Sequence, residues 1–93
     1  MDDFYILETM GQFLTRKRLE TNFSPLSIAE AVKGVSISLY ESIENDLYTP
    51  SVDMASEICK VLNIDWNYFY YTYRELLKDR AKKNKLNRGK RWK

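Results

Sequence analysis

Histidine is absent from this chain, and cysteine occurs once, at Cys59. Zinc sites built from the usual cysteine and histidine ligands are therefore excluded, as are Ser-His-Asp and Cys-His nucleophiles. A lone cysteine forms no internal disulfide. Gly11, Gly34 and Gly89 are isolated, so no glycine-rich loop is present to cradle a phosphate. Long apolar runs are missing too: nothing approaches the roughly 18 apolar residues of a membrane span. The start, Met1-Asp2-Asp3, is acidic, whereas a secretory signal opens with positive charge. Carboxylate-only chemistry remains formally open. The expectation is a cytoplasmic protein that is no enzyme and uses no cofactor or metal.

What is present is an ordinary apolar fraction, 44% of 93 residues, enough for one domain with one modest core. Charge is divided unevenly. From Lys78 to Lys93 nine cations face a single acid, Asp79, which gives +8. Residues 1–77 hold six cations against twelve acids, which gives −6. A basic block of this kind is either a solvated segment or an arm that binds nucleic acid.

The local pattern is helical throughout, and the expected class is all-α with five helices. Asp2 or Asp3 caps a first helix whose apolar residues, Ile6, Leu7, Met10, Phe13 and Leu14, share one face; it ends near Asn22. Ser24-Pro25 starts a second, because Ser24 accepts from an orphan N–H and Pro25 lacks the N–H that its position would leave unpaired. It runs to about Val32, and Lys33-Gly34-Val35 makes a turn. Ser36 caps a third helix that ends near Asn45-Asp46. Ser51 caps a fourth, with Val52, Ala55, Ile58, Cys59 and Leu62 inward. Asp65 caps a fifth, carrying the apolar stripe Trp66, Phe69, Tyr70, Tyr73 and Leu77; it frays between Lys82 and Asn87.

Two capped helices around a tight turn suggest a helix-turn-helix. The ordered motifs Arg18, Phe23-Ser24, Ile28-Ala29, Gly34-Val35-Ser36, Ile43-Glu44, Pro50-Ser51 and Leu62-Asn63-Ile64 resemble the XRE family of regulators, which has the Cro and lambda-repressor fold. The likeness covers roughly Gly11 to Phe69. Between Ala29 and Ser36 the turn is one residue longer than the commonest pattern, and in this it is similar to the DNA-binding domain of Rgg-type regulators. Since Rgg-type proteins continue into a helical-repeat domain, the chain is expected to be either a standalone relative or a piece of a longer regulator. The implied division is a helix-turn-helix domain over residues 1–78 and a basic tail, frayed or disordered, over 79–93.

The resemblance implies roles for particular residues. Arg18 and Glu44 are expected to pair across the core. Double-stranded DNA is the expected partner, met by Ser24, Ser27, Lys33, Ser36, Ile37, Ser38, Glu41 and Ser42, with Arg16 and Lys17 nearby and Lys82, Lys83, Lys85 and Arg88 in the tail. Family members often carry Gln where this chain has Pro25, and Arg, Gln or Asn where it has Ile37 and Ser42. Serine bonds either base type, Ile37 suits a thymine methyl, and Glu41 accepts from cytosine N4. The aromatic run Trp66 to Tyr73 suggests core plus subunit contact rather than a base-stacking platform, with a homodimer held by Trp66, Tyr70, Tyr73 and Leu77. The alternative, favoured by the acidic body and a third helix without cations, is a helix-turn-helix that binds a protein partner and little specific DNA.

Overall fold

The computed structural model describes residues 8–90, with side chains through Arg80. Five helices follow in order: α1 Met10–Thr21, α2 Pro25–Ala31, α3 Ile37–Glu44, α4 Val52–Val61 and α5 Trp66–Lys90. No strand occurs among the described residues, and none of the described helices is long and apolar enough to cross a membrane. The fold is all-α and lambda-repressor-like, as the capping pattern and motif order imply.

The caps explain most of the boundaries. Ser24, Ser36 and Ser51 each stand in extended backbone, and each hydroxyl accepts from an N–H three residues on, at Ser27, Leu39 and Met54. At the other ends, Asn22, Asp46 and Asn63 take left-handed backbone with φ of 64°, 61° and 57°, a conformation that Asn and Asp tolerate better than most residues. Gly34, at φ 84°, turns α2 into α3.

The first helix corrects the sequence reading. Asp2 and Asp3 lie outside the described residues, as do Ile6 and Leu7, and α1 starts only at Met10. Its cap is Thr9, extended at φ −70° and ψ 165°. Thr9 and Gln12 form a capping box: the Gln12 N–H donates to the Thr9 hydroxyl oxygen at 3.1 Å and the Thr9 N–H donates to Gln12 Oε1 at 3.0 Å. Two orphan donors are satisfied reciprocally, which fixes the start of α1 at Met10.

The core is drawn from every helix, with Phe13, Leu14, Ile28, Tyr40, Ile58 and Phe69 each at most 3% exposed. The Phe69 ring packs in tilted contact with Tyr73, ring centroids 5.1 Å apart, and with Phe13 at 5.9 Å. Cys59 is buried in the core, and burial pushes its thiol up to about 12, which disfavours the reactive thiolate. Val52 is a second correction: expected inside, it is 41% exposed, because the first position after the Ser51 cap points away from the core.

Helix α5 bends at Tyr73, whose φ of −113° and ψ of 17° are not helical. One residue earlier the Thr72 hydroxyl donates back to the Tyr68 carbonyl at 2.7 Å, a contact that commonly bends helices. The bend lets the Tyr73 hydroxyl donate toward the Glu8 carbonyl at 3.2 Å. Beyond it the backbone stays helical to Lys90, past the Lys82–Asn87 interval in which the sequence suggests a fray. No proline interrupts this stretch, and Lys, Arg, Ala and Leu are good helix formers.

Helices α1 and α3 meet at Gly11. A Cβ there would sit 2.7 Å from the Glu44 carbonyl carbon and 2.8 Å from the Ile43 oxygen, far inside van der Waals contact. Gly11→Ala should therefore destabilise the protein by about 3 kcal/mol or more, through forced separation of two backbones. Gly34→Ala, where nothing lies within 4 Å, should cost only about 1–2 kcal/mol of left-handed strain. Urea unfolding of the two variants measures both.

Candidate nucleic-acid interface

The α2–turn–α3 unit presents one continuous exposed surface, mostly polar but including Leu26 and Ile37. The buried side of α3 is Tyr40, 0% exposed, and Ile43, 1% exposed. The same rotation leaves Ile37, Ser38 and Glu41 exposed and Ser42 half-buried. Ser36 is exposed just before them, although its hydroxyl oxygen already accepts from the Leu39 N–H at 3.0 Å. Ser24 and Lys33 are exposed and Ser27 half-buried. The Ser24 and Ser27 hydroxyls lie 3.2 Å apart, so these two expected DNA contacts are also part of the α2 cap. All eight expected contacts of the body thus belong to one continuous unit, residues 24–42.

What fixes the angle of α3 is a cluster at its other end. Arg18 Nε donates to Glu44 Oε2 at 2.7 Å, and a second guanidinium nitrogen reaches Oε1 at 3.1 Å. The third nitrogen donates to the Phe23 carbonyl at 2.9 Å. Side-chain exposures are only 13% for Arg18 and 10% for Glu44. The Thr15 hydroxyl lies 3.0 Å from Glu44 Oε1 and 2.9 Å from the Gly11 carbonyl. Burial would raise the Glu44 pKa, but the donors Arg18, Tyr40 and Thr15, with the Arg18 charge, outweigh it and hold the carboxyl below its usual range. The Tyr40 hydroxyl is buried beside this pair; it makes no hydrogen bond of good geometry, yet it lies close enough to Glu44 to help hold that carboxyl low, and burial, with the carboxylate beside it, pushes its own pKa up.

Asp46 completes the junction. From its left-handed position it accepts from the Gly11 N–H at 2.9 Å and from the Thr9 hydroxyl at 2.6 Å. A residue that ends α3 thereby caps α1. Sequence reasoning found Asp46 as a helix stop and missed this second role, as it missed Thr9, Gly11 and Thr15. The only sequence signal was the Thr-x-x-Gln spacing.

Three groups of residues fall elsewhere than expected. Arg16 does not extend the polar face of α3: it binds Glu8 at 2.7 Å and Glu20 at 3.1 Å. Lys17 lies 3.6 Å from Glu20 and over the Phe13 ring. Both line a depression with Asn63, Asp65 and Tyr68, beside the α4–α5 turn. Arg80, counted with the basic tail, belongs to the body, because it donates to the Thr49 carbonyl at 2.9 Å and the Tyr48 hydroxyl at 2.7 Å. Leu77, expected at a subunit seam, is 2% exposed within the single chain and leaves no surface for a second copy. Trp66, Tyr70 and Tyr73 are half-buried against the same core, while Tyr68 and Tyr71 are 55% and 69% exposed. The side chains of Lys82, Lys83, Lys85 and Arg88 lie outside those described.

This arrangement coincides with a known domain: the helix-turn-helix family matches residues 14–69, from the middle of α1 to the start of α5. The chain belongs to the helix-turn-helix family. A Bacillus subtilis (strain 168) protein named as an uncharacterized HTH-type transcriptional regulator, YqaF, is 33% identical over 61 residues, covering 66% of this chain and 79% of that protein. No solved structure gives a significant match. The helix-turn-helix assignment agrees with the XRE-type motifs, and its span holds every expected contact of the body together with both members of the Arg18–Glu44 pair.

Glu44→Ala should destabilise the helix-turn-helix by about 3–5 kcal/mol, since it leaves the Arg18 charge buried and unpaired. Glu41→Ala, on the exposed face, should stay within about 0.5 kcal/mol. Because the folded pKa of Glu44 lies below its ordinary 4.5, its stabilisation is complete above that pH and is lost as the pH falls through the depressed value. Acid unfolding curves should therefore show a smaller pH dependence below pH 4.5 for Glu44→Gln than for the parent chain.

Proposed function

We propose that the protein is a sequence-specific DNA-binding transcriptional regulator of the XRE type, acting in the cytoplasm as a homodimer on a two-fold DNA site. The observation that carries this is the exposed row Ser36, Ile37, Ser38 and Glu41 at the start of α3, in a chain whose family match spans that helix. In this arrangement the start of α3 enters the major groove and α2 crosses the backbone above it. The name of the Bacillus relative as a transcriptional regulator supports the same role. The longer α2–α3 turn supports a place near the Rgg-type subgroup.

Affinity and discrimination come from different parts of the chain. Phosphate neutralisation dominates affinity, and α3 has no cation for it. In the body, Arg16, Lys17, Arg18, Lys60 and Arg74 all lie within 3.8 Å of a carboxylate. Lys33 stands exposed in the α2–α3 turn itself. The backbone attraction is therefore assigned to Lys33 and to the arm beyond Arg80, including Lys82, Lys83, Lys85 and Arg88. The dimer is assigned to the exposed aromatic side of α5, Tyr68 and Tyr71, next to the half-buried Trp66, Tyr70 and Tyr73.

A second reading rests on one specific observation. Phe23, Leu26 and Ile37 are 37%, 48% and 41% exposed around the same turn, with Glu30 and Glu41 exposed among them. An apolar and acidic face of this kind suits a protein partner.

Duplex binding at two salt concentrations separates the two. The truncation should start after Arg80, since that residue holds Tyr48 and Thr49. With about four phosphate contacts in the arm, removing residues 81–93 should lower the log–log salt slope by about 3–4, while sequence preference survives at low salt. A truncated protein that binds no duplex even at low salt would favour the protein-partner reading. Sedimentation at micromolar concentration should give a dimer, and a species monomeric both free and on DNA would remove the two-fold site.

A further inference from the structure

We infer that α3 reads pyrimidines: Ile37 packs on the methyl group of a thymine, and Glu41 accepts from the N4 amino group of a cytosine no more than about two base steps away. This rests on the DNA-reading proposal above and adds the class of sequence recognised.

The inference starts from what the exposed face lacks. Bidentate recognition of guanine needs Arg or Lys at O6 and N7, and bidentate recognition of adenine needs Asn or Gln at N6 and N7. Ser36 through Glu44 contain none of the four. The purine-reading side chains are absent from the helix that would carry them.

What remains suits pyrimidines. Ile37 is the first residue of α3 and is 41% exposed. A single exposed isoleucine means little on its own, but this one stands where a recognition helix points toward base edges. Thymine is the base that presents a methyl group in the major groove, beside its O4 acceptor. Glu41 follows four residues later on the same face, also exposed. A carboxylate is repelled by phosphate and by the guanine acceptors O6 and N7. Its partners are the amino donors, and adenine places its donor beside the N7 acceptor, whereas cytosine N4 has no such neighbour on its own base.

The spacing is consistent with adjacent contacts. Four residues of α-helix rise about 6 Å, against about 3.4 Å per base step along a strand. Ser36 and Ser38 flank Ile37 and serve either base type, so they tune the site without dictating purine or pyrimidine. Tyr40 and Ile43 are locked in the core at 0% and 1% exposure, which keeps Ile37 and Glu41 from rotating inward.

The test is selection of the full chain on a random duplex pool, followed by binding to the enriched site. A thymine and a cytosine within two steps are expected in each half-site. Replacing that thymine by deoxyuridine removes only the methyl group and should weaken binding about three- to fivefold, the size of one buried methyl. Ile37→Ala should bind both duplexes equally. Glu41→Gln should relax the preference for the cytosine by about tenfold. Both side chains are exposed, so unchanged melting temperatures are expected, and the deoxyuridine comparison uses the unaltered protein. An enriched site that binds equally well with deoxyuridine, or that is weakened when 7-deazaguanine replaces the guanine paired with the cytosine, overturns the pyrimidine inference and leaves the DNA-reading proposal standing. A pool that enriches for no sequence overturns both.

Discussion

The carboxylate of Glu44, nearly closed off from water between α1 and α3, is the group on which the geometry of this protein depends. It receives two bonds from Arg18 and lies within reach of Thr15, and its own backbone carbonyl presses against Gly11. A charge in such a place is costly unless it is paired, so the pair tolerates one relative position of the two helices and few others. Arg18 also holds the Phe23 carbonyl, which places the start of α2. Asp46 then ties the end of α3 to the start of α1. The exposed residues at the opposite end of α3 inherit their direction from this junction.

That arrangement separates two kinds of charge. The acids and cations of α1 are largely engaged with one another, Arg16 with Glu8 and Glu20, and Lys17 with Glu20. Exposed pairs of this sort add little stability, but they reduce the positive potential of the helix surface that carries them. With −6 over residues 1–77 and +8 over residues 78–93, attraction to a polyanion is concentrated at one end of the chain. Exposed charges separated by more than about 8 Å are largely screened at physiological salt, so an acidic body and a basic arm act on a partner as separate surfaces. Such a division suits the role proposed for α3, discrimination among bases without supplying affinity.

Helix boundaries were legible wherever the signal is local. Ser24-Pro25, Ser36 and Ser51 mark starts because a hydroxyl in extended backbone meets the orphan donors of the next turn. Asn22, Asp46 and Asn63 mark ends because short polar side chains tolerate positive φ. The start of α1 at Met10 was not legible, because apolar spacing runs on through Ile6 and Leu7 while the Thr9 cap is marked only by its capping box with Gln12. Arg16, Lys17 and Arg80 looked like free cations, because a sequence does not show which carboxylate or hydroxyl stands opposite a long side chain. Leu77 looked like a seam residue for a related reason: an apolar stripe does not say which part of it the chain's own core will cover.

By itself the sequence determined the class of the protein. Five capped helical segments, a glycine turn and the ordered family motifs follow from interactions between residues a few positions apart, and these are written directly in the chain. The tertiary structure decided everything that joins distant segments: the close approach at Gly11, the double role of Asp46, the docking of Arg80 on Tyr48 and Thr49, and the bend of α5 at Tyr73 that reaches Glu8. It also decided which side of α3 meets water. These contacts span 31 to 65 residues, and their energies depend on burial and hydrogen-bond geometry, quantities that exist only once the helices have packed.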